Sequence, residues 1–109
     1  MAKRPRFTLS FAPEAVEHLS LIESKSHGLR RRTIKEQLTF TPTAETRNRK
    51  PLEQPAPFEA SWELRCGPDN RFRVFYDVDA ASREVQVLAF GVKDRHRLSI
   101  GGEEYESCG

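Results

Sequence analysis

The sequence lacks several features that would assign it to a common class of protein. Its 109 residues contain no apolar run of about 18 residues, the minimum for a transmembrane helix. Its two cysteines, Cys66 and Cys108, are too few for a disulfide framework, and no CxxC or Cys/His cluster indicates zinc. The opening MAKRPRFTLSF is basic but has no apolar stretch typical of a secretory signal. We therefore expect a cytoplasmic protein with free thiols, no metal site and no other cofactor.

An excess of charge of one sign is also missing. The net charge is only +2, while 37% of the residues are hydrophobic and 31% are charged. This composition is typical of one globular domain, here residues 1–109, and not of a disordered chain. Residues 1–61 hold 11 Lys or Arg against 7 Asp or Glu, and residues 62–109 hold 7 against 9. Local clusters of cations must therefore indicate any polyanionic partner.

The first third of the chain predicts one strand and two helices. Residues 6–11 alternate apolar and polar side chains, as a half-buried strand does. Pro13 fits the first turn of a helix that ends near Gly28, and a second helix is expected from about Arg30 to Leu38. The apolar stripe of the first helix is predicted to consist of Ala15, Val16, Leu19 and Ile22. The exposed face of the second helix is predicted to include Arg30, Arg31, Arg32 and Lys35.

A proline-rich connector follows, over residues 39–60. Its four prolines exclude a regular helix or a central strand. It also concentrates three cations, Arg47, Arg49 and Lys50, in one short stretch. Loops held by a scaffold often carry function, so these cations are candidate ligand contacts.

Three strands are predicted in the second half, over residues 61–66, 72–78 and 85–92. The first two alternate, whereas the third is apolar at nearly every position, as in a central strand buried on both faces. Residues 101–109 are predicted to form a tail. The predicted order is β-α-α-β-β-β, an α+β domain with both helices packed on one face of a small, curved, mainly antiparallel sheet.

Four segments resemble a known family. They are Lys50-Pro51-Leu52 at the end of the connector, Trp62-Glu63-Leu64-Arg65, RVFYDVD from Arg73 to Asp79, and VLAFGVKDRHRL from Val87 to Leu98. From about residue 6 to residue 105, their order and spacing resemble the RelE/ParE superfamily of type II toxin–antitoxin toxins. The resemblance implies a toxin that a cognate antitoxin neutralises in a hetero-oligomeric complex. The RelE branch cleaves messenger RNA in the ribosomal A site, and the ParE branch poisons DNA gyrase.

The resemblance also implies a set of site residues. The matching positions are Lys50 in the connector, Arg65 and Arg73 on the strands, and Lys93, Arg95 and Arg97 in the basic segment after the last strand. Cleavage of RNA without metal needs a base, a cationic clamp and an acid. Arginine suits the clamp because its planar fork grips phosphate oxygens and stays charged. His96 is the candidate general acid–base, since imidazole titrates near neutrality, whereas His18 and His27 are expected at the surface.

Other interpretations of these residues stay open. Arg65 and Arg73 can equally form salt bridges with Glu63 or Asp77. RelE-branch enzymes commonly carry a tyrosine shortly after the basic segment, where this chain has Leu98-Ser99-Ile100. Arg47, Arg49 and Tyr105 are the candidate RNA contacts. Tyr105 can take the place of the missing tyrosine only if Gly101 and Gly102 turn the chain back toward the site. A gyrase-directed toxin and a decayed toxin that only binds its antitoxin are the alternatives to an mRNA endoribonuclease.

Overall fold

The computed structural model of the chain describes residues 6–25 and 31–105. Its helices are α1 (Pro13–Lys25) and α2 (Arg31–Leu38). Its strands are β1 (Thr8–Phe11), β2 (Arg49–Pro51), β3 (Trp62–Cys66), β4 (Phe72–Asp79), β5 (Glu84–Asp94), β6 (Arg97–Ile100) and β7 (Glu103–Tyr105). The predicted helix end at Gly28 lies outside the described residues, as do His27, Arg30 and Cys108.

All seven strands belong to one mainly antiparallel sheet, which confirms the predicted α+β class. The strands follow the order β2-β3-β4-β5-β6-β7, and β1 pairs with β5 in parallel. The predicted central strand is β5, which pairs with β4 along most of its length. Strand β5 is covered on both faces, since Val85 and Val87 pack toward the helices and Ala89 packs on the opposite side.

Both helices cover the same face of the sheet, called here the helix face. Helix α1 begins at Pro13 as predicted, and α2 ends at Leu38. Their buried side chains join those of the strands in one apolar core that includes Ala15, Leu19, Ile22, Ile34, Leu38, Leu64, Val74, Tyr76 and Phe90. The prediction for Val16 is wrong, since 44% of this residue is exposed. The residues of α1 that face the sheet are Ala15, His18, Leu19 and Ile22, which lie three or four positions apart on one side of the helix. Val16 lies just outside this stripe.

The other edge of β5 is shared by two strands and one histidine. Strand β1 pairs with Glu84–Val87, and β6 pairs with Gly91–Asp94. In the gap between them, the backbone N–H of Phe90 donates to Nδ1 of His18 at 3.3 Å. His18 is only 8% exposed, so the prediction of a surface histidine is wrong. The physical reason is that a buried N–H at an unpaired strand edge requires an acceptor, which an apolar helix residue lacks.

The connector and the tail contain strands that the sequence patterns did not predict. Arg49–Pro51 forms the edge strand β2, where a proline is tolerated because no further strand among residues 6–25 and 31–105 pairs with that edge. The predicted tail turns at Gly101 and Gly102, with φ of 63° and 82°, and returns as β7. The connector nevertheless contains no central strand and only a short 3-10 turn at Pro57–Glu59, as its prolines predict.

The second face of the sheet, called here the connector face, is divided into two halves. Residues of the connector cover an apolar half, where Leu52 and Ala60 pack with Phe75, Ala89, Leu98 and Ile100. The other half carries charged side chains and is not covered by the connector. This division places an ionic surface directly beside a packed core, on strands that are paired with neighbours on both sides.

Candidate functional site

A compact ionic cluster lies on the connector face, where β3 pairs with β4. Arg65 is the direct cross-strand partner of Arg73, and Glu63 lies two positions before Arg65 on the same face. The Glu63 carboxylate binds both guanidinium groups: its Oε1 lies 3.2 Å from Nε of Arg65 and 3.5 Å from Nε of Arg73. The sequence left open whether these arginines pair with Glu63 or Asp77, and the partner is Glu63. The Asp77 carboxylate instead accepts the backbone N–H of Ser61 at 2.8 Å.

Arg73 is the buried member of this cluster. Its side chain is 9% exposed, against 37% for Arg65. Burial lowers the pKa of Arg73, while Glu63 opposes this effect and the nearby charge of Arg65 adds to it. Its Nη1 donates to the backbone carbonyl of Asn70 in the β3–β4 loop. Arg73 is thus a fixed cation, because both its carboxylate partner and its carbonyl partner are held by the fold.

Next to Arg73 the connector face opens into a cavity of about 370 Å³. The residues lining it are Asp69, Asn70, Arg71, Arg73, Lys93, Asp94 and Arg95. They come from the β3–β4 loop, from β4, and from the end of β5 with its following turn. Four cations face two carboxylates, so the cavity carries a net positive charge and suits an anion.

The fold assembles this cavity through two tight turns. The backbone N–H of Lys93 donates to the carbonyl of Arg71 at 2.7 Å, which ties the β3–β4 loop to β5. Arg95 and His96 form the two-residue turn between β5 and β6, and both are exposed. Arg95 has a φ of 57°, a conformation that favours glycine or asparagine over arginine. Neither Lys93 nor Arg95 forms an ion pair with any described residue, so both remain available to a ligand.

The structure therefore brings together three of the predicted site residues, Arg73, Lys93 and Arg95, with Arg65 and His96 at the margin. Lys50 is exposed and lies opposite Glu63 across β2 and β3, on the same face but not in the cavity. Arg47 is exposed in the turn before β2 and also does not line it.

Arg49 has a different environment from the one expected for an RNA contact. It is 8% exposed and lies opposite Leu64, on the helix face. Its Nη1 donates to the carbonyl of Gln37 at 3.1 Å and to the carbonyl of Thr41. These carbonyls lie at and after the C-terminal turn of α2, where a cation is favourable. Arg49 thus anchors the helix to the sheet and is left out of the candidate site.

Two further predicted residues lie away from the cavity. Arg97 is opposite Asp94, its Nε lies 3.9 Å from Oε1 of Glu104, and alternation along β6 places it on the face opposite Leu98. Tyr105 lies opposite Leu98, and its ring packs against Phe58 with centroids 6.1 Å apart. The glycine turn does bring Tyr105 back to the sheet, but Leu98 stands between it and Lys93.

Sequence reasoning did not single out Arg71, Asp69 and Asn70, which also line the cavity. Arg71 gave no signal because it follows a turn and belongs to no periodic pattern. Asp69 and Asn70 are residue types common in turns, and both adopt positive φ, 55° and 51°. Their position directly before the strand of Arg73 was the one available clue to their place in the site.

The described residues contain no group of three or more His, Cys, Asp or Glu side chains arranged to hold a metal ion. Cys66 is a buried free thiol, and burial raises its pKa to about 11, which makes it a poor nucleophile at neutral pH. Among the described helices none is long and apolar enough to cross a membrane. Comparison with family models, curated proteins and solved structures finds no match to this chain.

Proposed function

We propose that this protein is a RelE-like toxin that cleaves messenger RNA on the ribosome and thereby represses translation in the cytoplasm. The observation that carries the proposal is the convergence of Arg73, Lys93 and Arg95 in one cavity, although they come from separate strands and turns. The chain order, which begins β-α-α and continues with antiparallel strands, is consistent with the RelE-like topology that the sequence resemblance implies.

The cavity supplies the electrostatic part of this reaction. A base removes the proton of a ribose 2′-OH, the 2′-oxygen attacks the adjacent phosphorus, and the bond from phosphorus to the 5′-oxygen breaks. The departing 5′-oxygen takes a proton from an acid, which leaves a 2′,3′-cyclic phosphate and a 5′-hydroxyl. Arg73 and Arg95 hold the phosphate oxygens, whose negative charge grows in the transition state, and Lys93 adds a third cation.

The proton transfers fall to His96 in this proposal. Its imidazole stands on the exposed turn beside Arg95, where a bound strand can reach it. Tyr105 is not given this role, because its ring is packed on Phe58 beyond Leu98. Glu63 acts as a positioning residue, since its carboxylate holds Arg65 and Arg73 in fixed orientations.

The proposed protein partner is an acidic antitoxin that folds onto the toxin. Supporting features are the cationic cavity and the exposed Val16 on the outer side of α1, which offer charge and apolar contacts to one flexible segment. Binding of such a segment over Lys93 and Arg95 would exclude RNA from the cavity.

A primer-extension assay on a message translated in a cell-free system tests the activity. Wild-type protein is expected to create defined stops, and Lys93→Gln/Arg95→Gln to reduce their intensity at least tenfold. Arg83→Asn is the matched control, because Arg83 is exposed, does not line the cavity and has a φ of 56° that asparagine tolerates. Equal stops for the wild type and the double variant would exclude these cations from the mechanism.

Two further assays address the alternatives. Inhibition of supercoiling by purified gyrase, without any RNA cleavage, would indicate a ParE-like toxin instead. Normal growth of a host that expresses the soluble protein without antitoxin would indicate a toxin that has lost its activity.

A further inference from the structure

A second cationic surface lies on the outer side of α2, well separated in sequence from the cavity of the connector face. It is a groove of about 530 Å³, called here the α2 groove. The described residues that line it are Arg6, Arg31, Arg32, Lys35, Glu36, Thr39 and Phe40. Four cations thus face one carboxylate, and the groove shares no residue with the cavity that contains Arg73.

The cations of this groove are not explained by the stability of the fold. Arg31 and Arg32 open α2, whose first turn contains no acidic residue, so the helix dipole disfavours them there. Nη2 of Arg31 lies 3.3 Å from Glu23, and Nε of Arg32 lies 3.1 Å from Glu36, but these pairs are exposed and therefore weak. Lys35 forms no ion pair with any described residue. Residues that break a local rule without a structural gain are often functional.

An exposed aromatic ring lies at the same groove. Phe40 is 39% exposed, although it lies only two residues after Leu38, a core residue at the end of α2. The guanidinium of Arg6 lies 5.9 Å from the centroid of its ring. An aromatic face beside several guanidinium groups is the combination with which proteins bind single-stranded nucleic acid: the cations contact phosphates and the ring stacks on a base.

We propose that the α2 groove is a binding site for single-stranded RNA, in which Arg31, Arg32 and Lys35 contact successive phosphates and Phe40 stacks on a base. An acidic peptide fits less well, because a helix that folds on binding needs apolar pockets at successive turns. Phe40 is the only apolar residue among the seven that line the groove. This inference goes beyond the proposed function, since RNA bound in the α2 groove lies outside the cavity that contains Arg73 and is not cleaved there.

The test measures the binding of a fluorescein-labelled oligouridine of about 12 nucleotides by anisotropy over a range of salt concentrations. Arg31→Gln/Lys35→Gln is expected to reduce the slope of log Kd against log salt by about 1.4, since each phosphate contact on a single strand contributes about 0.7. Phe40→Leu is expected to weaken binding about tenfold without changing the slope. Arg83→Asn again serves as the control for loss of one exposed charge.

The same substitutions in a Lys93→Gln/Arg95→Gln background separate this inference from the proposed function. There the groove variants are expected to have the same effect on binding, whatever the outcome of the cleavage assay. The inference is overturned if Arg31→Gln/Lys35→Gln changes the slope no more than Arg83→Asn does, or if Phe40→Leu leaves the affinity unchanged. It is also overturned if polyglutamate displaces the oligouridine as well as polyuridine does at equal charge, because the groove would then be a site for acidic polypeptides.

Discussion

His18 provides the sharpest test of how this fold is held together. Its imidazole fills the gap between β1 and β6 and accepts the backbone N–H of Phe90. Replacement by alanine leaves that N–H buried without a partner, which costs about 1–3 kcal/mol. The lost packing against Phe58, whose ring centroid lies 5.5 Å from that of His18, adds to this cost. We therefore expect His18→Ala to lower the free energy of unfolding by about 2–4 kcal/mol.

The same contact predicts a dependence of stability on pH. Burial lowers the pKa of His18 below its usual 6.5, although the carboxylates of Glu17 and Glu14 partly oppose this effect. As the pH falls through 6.5, the unfolded chain takes up a proton that the folded protein still excludes. The stabilisation is therefore complete above that pH, declines as the pH falls, and levels off below the pKa of the folded state. For one group the slope cannot exceed about 1.4 kcal/mol per pH unit.

Urea unfolding between about pH 5 and pH 8 measures both effects. His18→Asn is the matched variant, because its amide oxygen can take the place of Nδ1 as the acceptor but does not titrate. It is expected to be more stable than His18→Ala and to lack the part of the pH dependence that His18 contributes. The other histidines and the carboxylates are present in all variants, so the difference isolates the contribution of His18, including its interaction with Glu14 and Glu17. Equal pH slopes for the wild type and His18→Asn, or equal stability of the two variants, would refute this account of the gap.

Two other predictions concern the candidate site. Glu63→Gln leaves the guanidinium of Arg73 buried without a carboxylate, and we expect a loss of about 3 kcal/mol in urea unfolding, whereas the exposed Glu84→Gln is expected to cost less than about 0.5 kcal/mol. Arg95→Gly removes a cation and relieves a φ of 57°, so stability is expected to rise by about 1 kcal/mol while RNA binding weakens. Unchanged RNA binding by Arg95→Gly would contradict the assignment of Arg95 to the ligand, and a fall in its stability would contradict the argument from the positive φ.

Periodicity predicted the parts of the fold that have a strong apolar pattern. The alternation in β3 and β4 marks the residues that pack on the helix face, and the continuous apolar run in β5 reflects burial on both faces. Burial of β4 on the second face, at Arg73 and Phe75, does not follow from its alternation. The strands β2, β6 and β7 were not predicted, because segments of three or four residues are too short for a period to stand out, even in β6, where Leu98 and Ile100 alternate with polar residues. These segments are strands because they pair with β3, β5 and β6 in the folded chain.

The sequence pattern could not predict which single polar residues are buried. His18 is buried because the edge of β5 lacks a strand at Phe90, a property of the sheet and not of α1. Arg49 turns inward because the carbonyls at the end of α2 lie within reach, although Gln37 is 12 positions away in the chain. By contrast, Arg73, Lys93 and Arg95 were predicted from residue type and from the resemblance, and the structure places all three around one cavity.

The charges of the connector face explain why the cavity beside Arg73 is suited to an anion. One carboxylate, that of Glu63, serves two guanidinium groups, so it cannot neutralise both. Burial lowers the pKa of Arg73, which means that the surroundings disfavour its charge unless further negative charge is near. Lys93 and Arg95 then add cations that have no partner among the described residues. A bound phosphate would supply negative charge to Arg73, Lys93 and Arg95 at once. Its interaction with them would be stronger than in water, because the sheet excludes solvent from one side.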